Sequence, residues 1–235
     1  MYKSMLADHL EYTLIRSKRK TLALHVGGGE IQVRAPLRLS KKEIDRFVTE
    51  HKQWIMDKLA LEKEQQAKKK GFILDYNTKL LWRGVRQPII SEDPAGGRIW
   101  RDEHGFHFPG GWDGDMLKHN VIKLYKICAR NYFLERVLYF SKIMEVSPTA
   151  VKVNSAKTRW GSCSAKKSLN FSWRLCMAED EVIDSVIVHE LAHLQEMNHS
   201  KNFYDVVYAI LPDYDARNAK LKSLSKQLRF EDWEM

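Results

Sequence analysis

Cysteine is scarce in this 235-residue chain, with only Cys128, Cys163 and Cys176. An odd number without CxxC spacing argues against a disulfide framework and for reduced thiols. No apolar run reaches the roughly eighteen residues a membrane helix needs. The N-terminus, from Met1 to His9, lacks the apolar stretch of a secretory signal. The expectation is therefore a soluble, cytoplasmic protein without a membrane partner. There is no internal repeat and no low-complexity tract. At 44% hydrophobic and 29% charged residues, the composition is that of a folded chain, and the length is sufficient to bury a core without staples.

What is abundant is positive charge. The formal net charge is +9, with clusters at Arg16 to Lys20 and Lys68 to Lys70. Such a surface suits an anionic partner, nucleic acid or acidic polypeptide, and the basic N-terminal portion is where nucleic acid would be recruited. No interleaving of aromatic and basic residues at the spacing of a nucleic-acid module accompanies it, so a solvated surface is the simpler explanation.

Tyr12 and Leu14, then Leu22, Leu24 and Val26, then Ile31, Val33 and Ala35 alternate with polar residues, predicting a three-strand meander. Gly27-Gly28-Gly29 reads as a hairpin turn, since no helix follows it. Ser40 and Glu43 form a capping box for one long helix over about 41–68, stopped by Gly71. Short strand-like segments follow up to Phe108. A helix is expected from about Asp115 to before Pro148. The boundary between halves is placed near Gly114. Ala150 to Asn154 and Leu169 to Trp173 read as strands of one sheet, and Ser200 can cap a short helix before Pro212.

The chemistry is carried by residues 189–199, His-Glu-Leu-Ala-His-Leu-Gln-Glu-Met-Asn-His. Val182, Ile183, Val186, Ile187, Leu191 and Leu194 give this segment a buried helical stripe. His189 and His193, four apart, project from one face and can bind a single metal ion. Glu190 is placed to accept a proton from a water whose pKa the ion lowers. A catalytic zinc site has three protein ligands and an open position. His199 is the favoured third ligand, reached through a turn at Asn198, which tolerates left-handed φ. Glu196 competes, but on a straight helix it sits a full turn beyond the ion. The reading is a hydrolase with one Zn2+ per chain. Cys163 is a poorer candidate as a nucleophile, because a thiolate needs a positive neighbour in space.

Arg159-Trp-Gly-Ser-Cys-Ser164, Leu169-Asn-Phe-Ser-Trp-Arg-Leu175, Val188-His-Glu-Leu-Ala-His-Leu194 and Asn198-His-Ser200, in that order, resemble the YgjP-like metallopeptidases, relatives of the SprT-like zinc peptidases. The resemblance implies zinc held by His189, His193 and His199, Glu190 as catalytic acid/base, and a polypeptide substrate. It also implies a strand beside the active-site helix to which an extended substrate adds, and Leu169 to Trp173 is matched to it. Asn170, Arg159 and Arg174 are the candidate substrate-contacting residues. The metzincins share the histidine spacing but have glycine where this chain has Glu196, so their turn is not expected here.

The fold expected is thus α+β: a strand-rich N-terminal portion, residues 1–114, with one long helix, and a minimal zincin-like metallopeptidase domain, residues 115–235, built around the active-site helix. An activated water does not dictate the bond it attacks. A nucleotide phosphoanhydride hydrolase and a protease recruited to nucleic acid therefore stand as alternatives to a plain peptidase.

Overall fold

The computed structural model of the chain describes residues 2–5 and 10–233. It has mixed α+β architecture and separates into two compact units. One comprises the described residues up to Phe72 with Arg229–Asp232, and the other comprises Ile73–Leu228 with Trp233. Among the described residues, no helix is long and apolar enough to cross a membrane.

In the first unit, β1 (Tyr2–Met5), β2 (Glu11–Ser17), β3 (Ala23–Gly27) and β4 (Glu30–Pro36) form one sheet in the order β1-β2-β4-β3. The expected meander is corrected, because β2 lies parallel to β4 and β3 is displaced to the edge. Gly28 and Gly29 turn the β3–β4 hairpin with φ of 65° and 76°, a region that favours glycine. Alternation places Tyr12, Leu14, Ile31, Val33 and Ala35 on one buried face against Ile44, Val48 and Ile55. Those last residues belong to two helices, α1 (Lys41–Glu50) and α2 (Lys52–Lys70). The single long helix expected is interrupted at His51, whose backbone leaves the helical region (φ −102°, ψ 9°). Its ring Nδ1 lies 2.8 Å from the Phe47 carbonyl oxygen, a local side-chain bond of the kind that competes with the helical ladder.

The second unit begins with β5 (Lys79–Trp82), β6 (Val85–Glu92), β7 (Trp100–Arg101) and β8 (Phe106–Pro109), ordered β5-β6-β8-β7. The break between units falls at Phe72, not near Gly114. The reason is aromatic: Phe106 lies 5.2 Å and Trp82 6.4 Å, centroid to centroid, from Tyr125 of α3 (Gly114–Ile143). Tyr125 in turn stacks on Trp173 at 5.1 Å. Burial of such rings dominates core energetics and commits this small sheet to α3.

A second sheet of the unit contains β9 (Ala150–Asn154), β10 (Gly161–Cys163) and β11 (Ser168–Ser172), in the order β10-β11-β9. Sequence reading finds β9 and β11 but misses β10, which is too short to show alternation. The unit closes with α4 (Asp180–Ala192), α5 (Lys201–Ile210) and α6 (Tyr214–Leu228). All but three residues of α4 are buried. A helix apolar on every side is a core helix, and here it is held by Arg136 of α3, which donates to both oxygens of Asp184 at 2.7 and 2.8 Å.

His107 of β8 offers a test of this packing. Its Nδ1 is 2.6 Å from Glu92 and its Nε2 is 3.0 Å from Asp102, and its ring stacks on Trp100 at 4.5 Å. Burial opposes its charge, but the two carboxylates prevail and raise its pKa above the ordinary histidine value. A raised folded-state pKa stabilises fully below the unfolded value and ceases to do so as pH climbs through the folded one. His107→Gln is expected to cost about 1–3 kcal/mol near pH 6 and distinctly less near pH 9. Denaturant unfolding of both proteins at the two pH values checks this, and an equal cost at both would contradict it.

Candidate metal centre

Helix α4 delivers His189 and Glu190 from its last turn and ends on His193, its C-cap, with φ −64° and ψ −14°. The chain then tightens: Leu194 N–H donates to Leu191, and Gln195 and Glu196 N–H donate to Ala192. Ser200 caps α5 through the N–H of Phe203. The turn that returns His199 is made without the left-handed asparagine expected. Asn198 has no positive φ. Its side-chain oxygen instead accepts the N–H of Ser200 at 3.2 Å, so its contribution is a side-chain turn.

Three imidazoles converge. One ring nitrogen from each of His189, His193 and His199 lies within 4.8 Å of the others, and the Nε2 atoms of His189 and His199 are 3.1 Å apart. Nitrogens bound at 2.0–2.1 Å to one tetrahedral ion stand roughly 3.3 Å apart, so the cluster is of the right size. Burial, then the neighbouring His193 and His199, lower the pKa of His189 to about 4. Burial also lowers that of His193. Neutral imidazoles are the form that binds metal. Three imidazole nitrogens, with no fourth side-chain ligand grouped with them among the described residues, fit a divalent ion of the catalytic class.

The surroundings of the rings were not legible in the sequence. Nδ1 of His189 is 2.8 Å from the Tyr214 hydroxyl, and Nδ1 of His193 is 3.1 Å from the Glu196 carbonyl oxygen. Both contacts engage Nδ1 and leave Nε2 for a metal, as outer-shell partners of ligand histidines do. Glu196 thus enters through its backbone and not as the competing carboxylate ligand. Phe203, fully buried, sits 4.6 to 4.9 Å from all three imidazole centroids and forms a rigid floor beneath them. The only signal for these partners was helical phase: Phe203 and Val207 share the buried face of α5.

Glu190 is 6% exposed. Burial raises its pKa to about 7, against the opposing charge of Arg159 and a hydrogen bond donated by the Cys163 N–H. A carboxyl poised there can take up and give back a proton near neutral pH. Strand β10 is its wall: a Cβ built on Gly161 would lie 2.5 Å from Glu190 Oε1 and 2.6 Å from its Cγ. Gly161 has no positive φ, so the glycine is required for space and not for backbone conformation. Trp160 fixes the entry to β10, accepting the Ser172 N–H at 2.8 Å on its carbonyl and donating its indole N–H to Ser225 at 3.1 Å.

Of the three substrate-contact candidates, only Arg159 is brought beside the site. Asn170 pairs across the sheet with Ser162, whereas Phe171 pairs with Gly161. Paired residues share a face, so Asn170 points away from Glu190. Arg174 donates to the carbonyls of Ser155 and Trp233 and lies 4.8 Å over the Trp173 ring, ties that hold chain segments together. The strand assignment also needs correcting. β11, which contains most of Leu169 to Trp173, is paired on both edges, by β10 and β9, and has no edge to offer. Among the described residues, the unpaired strand edge beside α4 is that of β10. Burial and the Glu190 charge raise the pKa of Cys163, the reverse of what a nucleophile needs.

Residues 20–224 match the family described as YgjP-like, metallopeptidase domain. The chain is similar to the UTP pyrophosphatase of Escherichia coli (strain K12), 31% identical over 134 residues that span 54% of this chain and 75% of that protein. Among solved structures it is similar to the metallopeptidase zymogen of Pyrococcus abyssi abylysin, at 18% identity and a TM-score of 0.37 over 42% of this chain and 97% of that one. It is also similar to the metallopeptidase zymogen of Methanocaldococcus jannaschii jannalysin, at 19% identity and a TM-score of 0.35 over 40% and 96%.

Two outcomes follow from the geometry. Gly161→Ala should cost about 1–3 kcal/mol in the wild-type background, as overpacking does. It should cost much less in Glu190→Ala, which removes the three atoms nearest the new methyl. A double-mutant cycle of unfolding free energies reads this, and simple additivity would contradict it. Tyr214→Phe should weaken metal affinity by about 10- to 100-fold, the usual effect of losing an outer-shell partner. Competition with a chromogenic chelator measures it, and unchanged affinity would remove Tyr214 from that role.

Proposed function

The chain belongs to the YgjP-like metallopeptidase family, and from that premise we propose that it is a zinc-dependent peptidase in which Glu190 is the general base and His189, His193 and His199 hold the ion. The observation that carries the proposal is the convergence of three imidazole nitrogens within 4.8 Å beside a carboxyl buried to 6% exposure. A divalent ion in that cluster supplies Lewis-acid polarisation of a water and of the scissile carbonyl. Glu190 removes the proton of the attacking water and returns it to the departing amine, and a pKa near 7 serves both directions. Gly161 and the Cys163 N–H fix where that carboxyl stands. Tyr214 and the Glu196 carbonyl fix the two helical imidazoles. The open edge of β10 pairs with an extended polypeptide, whose main-chain hydrogen bonds would lay the scissile bond across Glu190.

A second reading has its own support in the name of the UTP pyrophosphatase to which the chain is similar. In it the bond cleaved is a nucleotide phosphoanhydride, and Arg159, already close enough to Glu190 to pull down its pKa, meets the anionic substrate. The two readings share the histidines and the base and differ in what lies along β10.

The test is metal analysis of the purified protein beside two assays, cleavage of a peptide library and release of phosphate or pyrophosphate from UTP. Wild type should carry one zinc per chain, and His199→Ala should lose it. Glu190→Gln should retain zinc and lose about 100-fold or more of the hydrolysis. Cleaved peptides with intact UTP support the peptidase, and the converse supports the phosphoanhydride hydrolase. Full activity in Glu190→Gln would overturn both.

A further inference from the structure

The three-stranded sheet has two edges. The edge of β10 faces Glu190, and the other is β9, whose one pairing partner among the described residues is β11. Alongside it runs a groove of about 470 Å³ lined by Lys126, Ile127 and Arg130 of α3 and by Val151, Lys152 and Val153 of β9. Three features of this groove bear on what it binds.

The first is backbone. An edge strand presents N–H and C=O groups without partners, a template for another strand. The second is apolar surface. Val151 and Val153 project to the α3 side, in register with the buried Leu169 and Phe171, and Ile127 stands 48% exposed across from them. The third is charge. Lys126, Arg130 and Lys152 are exposed and none forms an ion pair among the described residues. No acidic side chain lines the groove.

We propose that this groove is a docking site for an extended, acidic polypeptide segment, which adds to the outer edge of β9 as a fourth strand. Alternation assigns the contacts: apolar side chains of the guest meet Ile127, Val151 and Val153 on the α3 side, its carboxylates meet Lys152 on the opposite face, and Lys126 and Arg130 add positive charge along the rim. A second copy of the chain is a poorer occupant, since pairing two β9 edges would set each cluster of three cations against its equivalent. Nucleic acid is poorer as well. The lining has no aromatic side chain on which a base could stack, and its apolar part is aliphatic. The site does not depend on the chemistry proposed for the histidines and lies on the opposite edge of their sheet.

The probe is a fluorescein-labelled peptide of alternating valine and glutamate, titrated with the full chain and read by fluorescence anisotropy. Binding should weaken at least tenfold in the double variant Arg130→Glu, Lys152→Glu. It should weaken similarly for a valine–lysine peptide, and for a valine–glutamate peptide whose alternate amides are N-methylated, a change that leaves the protein untouched. Unaltered thermal melting of the double variant shows that its loss is not unfolding. No binding by wild type, equal binding of the N-methylated peptide, or equal binding by the double variant overturns the proposal. So does displacement of the peptide by a single-stranded oligonucleotide of higher affinity, which assigns the surface to nucleic acid. A wild-type dimer that the charge reversal dissociates assigns it to a second copy.

Discussion

The structure depends on placing His189, Glu190 and His193 at the end of a largely buried helix. Ten of the thirteen residues of α4 are buried, yet its last turn and cap carry His189, Glu190 and His193. A polar group taken from water without a partner costs several kcal/mol, about 2–7 depending on the reference. Each of the three has a polar neighbour: His189 has Tyr214 at the start of α6, His193 has the Glu196 carbonyl in the turn just after the helix, and Glu190 has the backbone N–H of Cys163 in β10. The elements around α4 are therefore the supports of a site as well as the walls of a core. Their positions are set by groups that must be satisfied once the helix is buried.

This accounts for what the sequence could and could not disclose. His189, Glu190, His193 and His199 stand within eleven residues, so helical phase and a single turn relate them, and their grouping is legible from spacing alone. Tyr214 reaches His189 across 25 positions, and Gly161 meets Glu190 from strand to helix. Such contacts exist only once α4, α6 and β10 have packed. The same distinction explains the errors. Alternation identified β2, β3, β4, β9 and β11 as strands but carries no information on pairing order, so both the meander and the edge position given to Leu169 to Trp173 were misplaced. Helical periodicity ran unbroken through His51, where no proline or glycine marks the end of α1. The unit boundary was hidden by aromatic packing of Trp82 and Phe106 on Tyr125, since ring-to-ring contacts leave no local pattern.

The sheet beside α4 unites the two surfaces a polypeptide can use. Its β10 edge is held against Glu190 by a glycine with no room for a side chain, and its β9 edge is apolar and rimmed by unpaired cations. The strand between them, β11, is paired on both sides and carries the buried Leu169 and Phe171, so a core strand separates the proposed catalytic edge from the proposed docking edge. In the proposed mechanism the three histidines and Glu190 serve a peptide bond or a phosphoanhydride alike. The choice between them rests with what lies along β10 and with Arg159.

The central claim is that three histidine nitrogens hold one ion next to Glu190 while leaving it a place for water. Anomalous diffraction at the zinc edge from crystals of the metal-loaded protein tests it most directly. The account predicts a single strong peak at about 2.0–2.1 Å from one ring nitrogen each of His189, His193 and His199, with an exchangeable oxygen as the remaining ligand and the Glu190 carboxyl facing that oxygen. A peak elsewhere, or an ion whose coordination is closed by Glu190 or by the Glu196 carboxylate, would contradict it.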